Sequence, residues 1–285
     1  MNVLLAVTYR DNTLIYMNSG STKRMNRRDR ILAFIDKSQP GIEIGSSHAP
    51  IAPKSEGFKT EIIDHLPTEK LREKYSTLGD AVANIEEVDY VWSGENYREL
   101  VGHEKYYKWI IASHVIEHTP DLIGFLKGCS QLLENTGLLV LAIPDKRFCF
   151  DRLRQPTSLG QVVDAHLESR TRHSLGTLYE YYSHVVTCNG DLAWSHQANS
   201  DLAQIHSKEH LSEALKKHEN GEYVDVHSWC FFPLHFTQLV HRLNQLEFTD
   251  FKVSTCTKTF GHEFFAVLKK GSIEEQEINA LLLPN

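Results

Sequence analysis

The sequence lacks several features that would assign its class directly. Its five cysteines are scattered and odd in number, and none forms a C-x-x-C pair, so neither a disulfide framework nor a structural zinc ribbon is expected. No stretch reaches the roughly 18 apolar residues of a membrane span. Acidic residues outnumber basic ones by 37 to 30, which argues against a dedicated nucleic-acid binder with a basic surface.

The start of the chain also lacks a secretory signal. The opening MNVLLAVTYRDNTL meets Arg10 and Asp11 before it could form a long apolar region with a cleavage site. With the reduced cysteines, this predicts a cytoplasmic protein. At 285 residues and 41% hydrophobic content, the chain is too apolar for a disordered protein and long enough for a large α/β domain with an insertion.

Short apolar runs alternate with helical patterns along the chain, which indicates a doubly wound parallel sheet with helices on both faces. Two further strands near the end of the chain, joined through Gly261, are expected to pair as a hairpin at the sheet edge. The predicted fold is therefore a seven-stranded, mainly parallel, Rossmann-like α/β sheet. Predicted strands are residues 42–45, 59–64, 88–92, 107–113, 138–143, 251–255 and 263–268, and the main predicted helices are 26–38, 122–133 and 235–246.

The alternating pattern stops after Pro144 and returns near residue 233. Residues 146–232 are rich in histidine and aromatic residues, and nine of the 16 histidines lie between residues 166 and 235. We therefore predict an N-terminal arm (1–25), a core (26–145 and 233–270), an α-rich cap insertion (146–232) and a C-terminal helix (271–285).

The first candidate site is the turn GIEIGSSHAP after the first predicted core strand. Gly45 allows close approach of a ligand to the backbone, and the amides that follow can hold an anionic group. Asp64 ends the next strand, where a carboxylate can accept both hydroxyls of a ribose. Only one glycine of the dinucleotide pattern G-x-G-x-x-G is present, so the turn alone is equally consistent with an ordinary loop.

The segments KWIIASHVIEHTPD (108–121) and LIGFLKGCSQLLENTGLLVLAIPD (122–145) resemble the class I S-adenosylmethionine-dependent methyltransferases, particularly the methyltransferase type 11 group. The resemblance covers residues 26–145 and 234–270 and implies S-adenosylmethionine as cofactor. It places the turn with Glu43 and Gly45 beside the methionine part of the cofactor and Asp64 on its ribose. Near adenine it implies an acidic residue after the third predicted strand, where this sequence offers Ser93 or Glu95. It places Ser113 and His114, at the end of the fourth strand, along the cofactor. The implied cofactor-binding residues are Glu43, Gly45, Ser46, Asp64, His65, Ser93, Ser113 and His114. Ser46 and Ser47 stand where the family usually has further glycine.

A competing motif occupies the same segment. Residues 114–118, HVIEH, fit H-x-x-E-H, the inverted zinc-peptidase signature, which requires both histidines on one helical face. Here His114 directly follows a predicted strand and Pro120 restricts Thr119. A zinc-dependent hydrolase that uses His114, Glu117 and His118 is therefore the less favoured alternative, and no metal ligands are assigned.

The cap contains the pattern Asp-x-His twice, at 164–166 and 225–227. In a strand, residues i and i+2 point to one side, so each aspartate could orient its histidine or bind a metal ion together with it. O-methylation needs a base near the acceptor hydroxyl. We predict His227, oriented by Asp225, as that base and His166 as the second candidate. The alternative for each is an ordinary solvated or core histidine.

The resemblance continues through PDKRF (144–148) and implies a methyltransferase that O-methylates a saccharide or related polar metabolite. The cap aromatics Tyr181, Trp194 and Trp229 suit stacking on sugar faces, or they form the cap's own core. The expected partner is a small-molecule or saccharide acceptor, with no nucleic acid and no membrane span, and a homodimer stays open. The main alternative is a catalytically inactive relative that keeps the fold as a binding protein.

Overall fold

The computed structural model describes residues 7–10, 13–16, 25–195 and 201–273. The strands are β1 Val7–Arg10, β2 Thr13–Tyr16, β3 Pro40–Ile44, β4 Lys59–Asp64, β5 Tyr90–Val91, β6 Tyr107–Ser113, β7 Leu133–Pro144, β8 Val186–Cys188, β9 Leu202–Gln204, β10 Phe251–Cys256 and β11 Glu263–Lys270. The α-helices are α1 Arg27–Leu32, α2 Thr68–Lys74, α3 Tyr97–Val101, α4 Leu122–Leu132, α5 Leu159–Leu167, α6 Leu175–His184, α7 Lys208–Glu219 and α8 Pro233–Gln245. Short 3₁₀ helices are formed by Lys54–Glu56, Ser76–Asn84, Ile116–His118, Lys146–Phe148 and Phe150–Leu153.

Seven of the described strands form one sheet in the order β10-β11-β7-β6-β3-β4-β5. The strands from β3 to β7 pair in parallel, whereas β11 pairs antiparallel with both β7 and β10. The predicted seven-stranded α/β sheet and its terminal hairpin are confirmed. The strand order reverses between β3 and β6, and doubly wound sheets bind ligands outside the strand carboxyl ends at such a point.

Alternation along the central strands buries both faces of the sheet. In β6, Ile110 and Ala112 join one core and Trp109 and Ile111 join the other, because successive side chains of a strand point to opposite faces. Helices α3, α4, α5 and α8 cover the first face, and α1 with the segment around Ile51 covers the second. This is why β6 is a nearly continuous apolar run in the sequence.

Helix α4 shows how closely the local sequence specifies its elements. Asp121 is its N-cap, and its carboxylate accepts the Gly124 amide hydrogen at 2.8 Å, the usual role of aspartate at this position. The helix ends at Leu132, one residue before the predicted end. Strand β7 follows at once from Leu133, five residues before the predicted start, because Leu133 pairs with Tyr107 before an irregularity resets the register.

The insertion begins and ends at the carboxyl end of β7. Helices α5, α6 and α7 and the β8–β9 hairpin lie between Lys146 and Phe231, and the Lys146 amide donates to the Phe231 carbonyl oxygen at 2.8 Å. The insertion has its own small apolar cluster, which includes Leu178, Ala214 and Val226. Both ends of the insertion therefore lie at the carboxyl ends of the parallel strands, where a ligand is expected.

The two predicted terminal segments fall largely outside the described residues. Of the N-terminal arm, the structure describes only β1 paired antiparallel with β2 and the residues from Met25 onward. The predicted C-terminal helix lies beyond residue 273. All five cysteines are free thiols. Among the described residues, no helix combines the length and the apolar character that crossing a membrane requires.

Gly41 is the tightest glycine position in the sheet. A Cβ there would lie 2.1 Å from ring atoms of Trp109, its neighbour on β6. We expect Gly41→Ala to destabilise the protein by about 3 kcal/mol, the upper part of the usual cost of overpacking. Thermal unfolding should show a melting temperature lower by about 2–4 °C for each kcal/mol in a chain of this size.

Gly160→Ala is the matched control. Gly160 lies in α5, where an added Cβ meets only Ser158 Oγ at 3.9 Å, so the alanine should be neutral or stabilising by up to about 1 kcal/mol. Equal melting temperatures for the two variants would show that Trp109 does not constrain position 41.

Candidate functional site

The turn after β3 lies against the end of β4. Gly45 has a φ of 68°, in the left-handed region that glycine adopts at little cost. A Cβ at this position would also lie 2.7 Å from Val115 Cγ2. Ser46 is buried, and the Ser47 amide donates to Asp64 Oδ2 at 3.0 Å. The predicted glycine and carboxylate are therefore neighbours, and the glycine is also needed for packing against Val115.

Asp64 occupies the predicted strand-end position with 3% of its surface exposed. Its Oδ1 accepts the His65 amide hydrogen at 2.8 Å and lies 2.7 Å from His65 Nδ1. The His65 side chain is about half exposed, and its Nε2 lies 3.1 Å from Lys74 Nζ. Both predicted residues thus lie at the carboxyl end of β4, with the carboxylate already held by the two turns around it.

Glu43 lies in β3, before the turn, and its carboxylate is bonded to the backbone of the loop that follows. It is 1% exposed, and its two carboxylate oxygens accept the amide hydrogens of Ile51 and Ala52 at 2.7 and 2.9 Å. Burial raises the pKa of Glu43 to about 7, although these two hydrogen bonds oppose the shift. The carboxylate therefore anchors the loop that follows Gly45, and its contact with the cofactor stays a prediction.

Ser93 lies two residues after β5, beyond the last strand on this side of the sheet. It is exposed, and its amide and hydroxyl both donate to Glu95 Oε2, at 2.8 and 3.0 Å. Ser93 and Glu95, the two sequence candidates for the adenine end, therefore contact each other. Their loop follows β5, the neighbour of the strand that ends in Asp64.

At the end of β6, Ser113 and His114 contact groups that the sequence did not indicate. Arg27, the first residue of α1, donates to Ser113 Oγ at 2.6 Å and to both carboxylate oxygens of Glu263 at 2.7 and 2.9 Å. His114 Nε2 lies 3.0 Å from Glu263 Oε2, and its Nδ1 lies 3.4 Å from Glu117 Oε1. Although burial opposes it, these two carboxylates raise the pKa of His114 to about 9.

The turn after β3 also contains polar atoms that suit a ligand. Ser47 Oγ and His48 Nδ1 are buried and have no hydrogen-bond partner among the described residues. Buried polar atoms are normally hydrogen-bonded, so these two are available to a bound polar molecule. Together with the left-handed Gly45 and the buried Asp64, they fit a nucleoside cofactor at this turn.

A second group of polar side chains lies beyond β6, where the insertion meets the 3₁₀ helix 116–118. Ligand atoms of Glu117, His118 and His227 lie within 4.8 Å of one another, and we call these three residues the histidine centre. The rings of His118 and His227 are nearly perpendicular, with centroids 4.6 Å apart. The Ser228 amide donates to the Glu117 carbonyl oxygen at 2.7 Å, which holds the end of the insertion against this turn.

The predicted pairing of Asp225 with His227 is wrong. Asp225 Oδ1 lies 2.8 Å from His118 Nδ1, and His227 Nδ1 lies 2.5 Å from Asp151 Oδ2. Although burial opposes it, His227 and Arg154 lower the pKa of Asp151 to about 2. Residues 225–227 lie outside the assigned strands, and each side chain has a long-range partner. Asp151 is the orienting carboxylate that sequence reasoning missed.

The second Asp-x-His pair does not form either. Residues 164–166 lie in α5, where positions i and i+2 do not face each other. His166 Nδ1 instead lies 2.8 Å from Asp121 Oδ2, and its Nε2 lies 2.9 Å from Lys127 Nζ. His166 thus pairs with residues at and after the start of α4, and the structure does not bring it into the histidine centre.

The zinc-peptidase alternative lacks the helix that it requires. His114 has a φ of 53°, and only Ile116–His118 form a 3₁₀ turn, so the two histidines of H-x-x-E-H do not share a helical face. Glu263 binds His114 on one side, while Asp225 binds His118 on the other. The motif is therefore a turn whose two histidines bind different carboxylates.

Two of the predicted cap aromatics have different surroundings, one in the core of the sheet and one beside the histidine centre. Trp229 is buried in the sheet's first core, and its indole nitrogen donates to the Thr119 carbonyl oxygen at 2.7 Å, so it is a packing residue. Tyr181 is only partly buried, and its ring centroid lies 6.5 Å from that of His227. Tyr181 therefore lies beside the histidine centre, together with Phe150, whose ring centroid is 4.6 Å from that of His227.

The buried Glu43 predicts a pH dependence of stability. Its pKa in the folded protein lies above its ordinary value of 4.5, so its contribution is complete below about pH 4.5 and is lost as pH rises through about 7. We expect Glu43→Gln to be less stable than the parent at low pH, because glutamine can accept only one of the two amide hydrogens. The difference in unfolding free energy should shrink between about pH 5 and pH 8.

Urea unfolding across this range measures the effect. Glu69→Gln, at an exposed position of α2, is the control and should follow the parent at each pH. Parallel profiles for the parent and Glu43→Gln would contradict the raised pKa.

Comparison with known proteins identifies the family. A family profile described as "Methyltransferase domain" matches residues 22–219. No curated protein matches the chain. Three solved structures are similar at low identity. The trans-methyltransferase CalH, in complex with SAH, is 14% identical with a TM-score of 0.43, over 86% of this chain and 55% of that chain. The CcbJ methyltransferase from Streptomyces caelestis is 12% identical with a TM-score of 0.44, over 87% and 97%.

The third is the PH0226 protein from Pyrococcus horikoshii OT3, which is 13% identical with a TM-score of 0.44, over 85% of this chain and 86% of that chain. The present chain thus spans only about half of the CalH chain. The family profile covers more than half of the present chain. The protein therefore belongs to the methyltransferase-domain family, within the class I S-adenosylmethionine-dependent methyltransferases.

Proposed function

We propose that this protein transfers a methyl group from S-adenosylmethionine to a hydroxyl group of a saccharide or related polar metabolite. The cofactor would occupy the turn after β3, held by Asp64 and the Ser46–Ser47 segment. The acceptor would lie between this turn and the insertion, with its hydroxyl at the histidine centre.

One contact carries this proposal. A side chain at Gly45 would collide with Val115, and Glu117 of the histidine centre lies only two residues after Val115 in a tight 3₁₀ turn. The candidate cofactor turn and the histidine centre are thus connected by one short segment. A methyltransferase needs this adjacency, because donor and acceptor must be held in contact and aligned for displacement.

The chemistry of the step requires a group that removes a proton. S-adenosylmethionine supplies a methyl group on a positively charged sulfur. A bond forms between the acceptor oxygen and the methyl carbon while the carbon–sulfur bond breaks, and the hydroxyl proton must leave. Nδ1 of His227 donates to Asp151, so Nε2 faces the acceptor as the proton-accepting atom. An ion held at the same centre would promote the same proton loss.

Partly exposed aromatic groups beside the centre suit a sugar. Tyr181 lies near His227, and Tyr182 packs against the His206 ring with centroids 4.5 Å apart. Sugar rings stack on aromatic faces through their C–H groups, and their hydroxyls need polar partners. The cleft of the insertion offers both.

Cofactor binding should depend on Asp64. Asp64→Asn keeps the side-chain volume and one acceptor oxygen for the Ser47 amide, but it removes the charge and the second acceptor. Hydrogen bonds to charged groups contribute about 1.5–3 kcal/mol, so the dissociation constant for S-adenosylmethionine should rise by about tenfold or more, as measured by calorimetry. Glu69→Gln, on the exposed face of α2, should bind like the parent.

An unchanged dissociation constant in Asp64→Asn would show that Asp64 does not bind the cofactor. If the parent itself binds no S-adenosylmethionine, the protein is the inactive relative, in which the bonds of Asp64 to Ser47 and His65 serve only the fold.

Turnover should depend on His227. In His227→Asn the amide nitrogen can replace Nδ1 as the donor to Asp151, while the atom equivalent to Nε2 is lost. Positioned bases contribute about 10²–10⁴ in rate, so turnover of labelled cofactor with a hydroxyl acceptor should fall by at least about 100-fold. Affinity for S-adenosylmethionine should stay within about twofold of the parent.

His166→Asn tests the other base that the sequence indicates. Since His166 pairs with Asp121 and Lys127, its variant should retain most of the turnover. If His227→Asn retains turnover within about threefold while His166→Asn loses it, the assignment of the acceptor site is wrong.

A further inference from the structure

Glu117 carries a buried carboxylate without a hydrogen bond. The side chain has no exposed surface, and neither oxygen has a hydrogen-bond partner among the described residues. His114 Nδ1 lies 3.4 Å from Glu117 Oε1, but the two atoms are not aligned for a hydrogen bond. The other ring nitrogen of His114 already contacts Glu263. Leaving a buried carboxylate unbonded is costly, so a further positively charged partner is expected at these oxygens.

The two histidines of the centre are oriented in the way that metal ligands usually are. Nδ1 of His118 is held by Asp225, and Nδ1 of His227 is held by Asp151. A carboxylate can only accept, so each Nδ1 carries the hydrogen and each Nε2 keeps its lone pair. Metal-binding histidines nearly always donate their other ring hydrogen to a carboxylate, a carbonyl group or water.

The ligand atoms converge on one place. Those of Glu117, His118 and His227 all lie within 4.8 Å of one another, and zinc–ligand bonds are about 2.0–2.2 Å for these atom types. Binding one ion would therefore require the three atoms to move closer together through side-chain rotation. The Ser228 amide fixes the Glu117 backbone, and the Tyr223 hydroxyl donates to the His118 carbonyl oxygen at 2.8 Å, so the two chain segments are already locked together.

We propose that Glu117, His118 and His227 bind a divalent first-row transition-metal ion, with zinc as the best match. Two imidazoles and one carboxylate suit zinc, cobalt, manganese or iron(II), whereas magnesium and calcium prefer oxygen ligands throughout. With three protein ligands, at least one coordination position is left for a hydroxyl or water. Asp151 and Asp225 are the positioning residues, because they act on the ion only through the imidazoles.

The catalytic role of this ion rests on the proposed function, whereas its binding does not. With an ion bound, His227 is a ligand rather than a free base, and proton loss from a coordinated hydroxyl is promoted by the ion. A bound ion also explains why carboxylates orient both His118 and His227. A single general base would need only one oriented histidine.

Titration of the chelator-treated full chain tests the site. Calorimetry with zinc, and the visible absorption spectrum with cobalt, should show one tight site per chain, and magnesium at the same concentrations should not compete. His118→Asn retains a donor to Asp225 but loses Nε2, and it should weaken zinc binding by at least about 100-fold. Glu117→Gln, which preserves the buried volume, should do the same. Asp225→Asn should weaken binding by about 10–100-fold.

The matched control is His184→Asn. His184 is an exposed histidine of the same insertion whose Nδ1 bonds the Glu180 carbonyl oxygen, and its variant should bind zinc like the parent. Unchanged zinc affinity in both His118→Asn and Glu117→Gln, with unchanged melting temperatures, would overturn the proposal. Equal competition by magnesium would overturn it as well.

A parallel titration with S-adenosylmethionine separates this proposal from the proposed function. Zinc binding without cofactor binding would support the metal site and overturn the proposed methyltransferase activity. Cofactor binding and turnover that persist in chelator, with no zinc site, would overturn the metal site and leave the proposed function intact.

Discussion

The buried carboxylate of Glu117 is the constraint around which the polar part of this protein is organised. A charge removed from water costs several kcal/mol unless it is compensated, and Glu117 has no exposed surface. Burial alone would raise its pKa, yet His114, His118 and His227 together lower it. These histidines come from the end of β6, from the turn after it and from the far end of the insertion. The insertion therefore supplies one part of this compensation, through His227, and the end of β6 and its following turn supply the rest.

Histidines surround Glu117, carboxylates lie behind the histidines, and arginines lie behind some of those carboxylates. Each of the three histidines has a second carboxylate behind it, and two of these carboxylates are in turn bound by arginines. The pairs are His114 with Glu263 and Arg27, His118 with Asp225, and His227 with Asp151 and Arg154. In such a network each imidazole is fixed in orientation, and removing His227 would leave the buried Asp151 without one of its partners. The arrangement therefore favours a rigid site over a strong contribution to stability.

The fold could be predicted from the sequence because the residues that specify each strand or helix lie within that element or next to it. A parallel strand buried on both faces is a short apolar run, as in residues 107–113, and a cap such as Asp121 marks the start of the next helix. The strand ends were predicted for the same reason, so Gly45, Asp64 and His114 were found at one edge of the sheet. The start of β7 was predicted five residues too late, because Leu133 pairs with Tyr107 through a register shift that no local pattern encodes.

The histidine centre could be predicted only in part. The sequence indicated His227 and Asp225, but the spacing argument assumed that neighbours two apart serve each other. In the structure Asp151 lies 76 positions before its partner His227, and Asp225 lies 107 positions after His118. Contacts of this length depend on how the insertion folds back, and a single sequence carries no local signal for them. The acidic-x-x-basic spacing of Asp151 and Arg154 was visible, but it is equally common on helix surfaces.

The segment from Ser113 to His118 was the most informative stretch of the sequence for the candidate site, because it positions both the turn after β3 and the histidine centre. His114 adopts a left-handed backbone conformation directly after β6, which is uncommon for residues other than glycine and needs support from its surroundings. Here the support is the bond from its amide to the Ala142 carbonyl oxygen and the contacts of its ring with Glu263 and Glu117. This turn directs Val115 onto Gly45 and places Glu117 under the insertion. A substitution that relaxed residue 114 would therefore move the cofactor turn and the histidine centre together, because both are positioned by the same five peptide bonds.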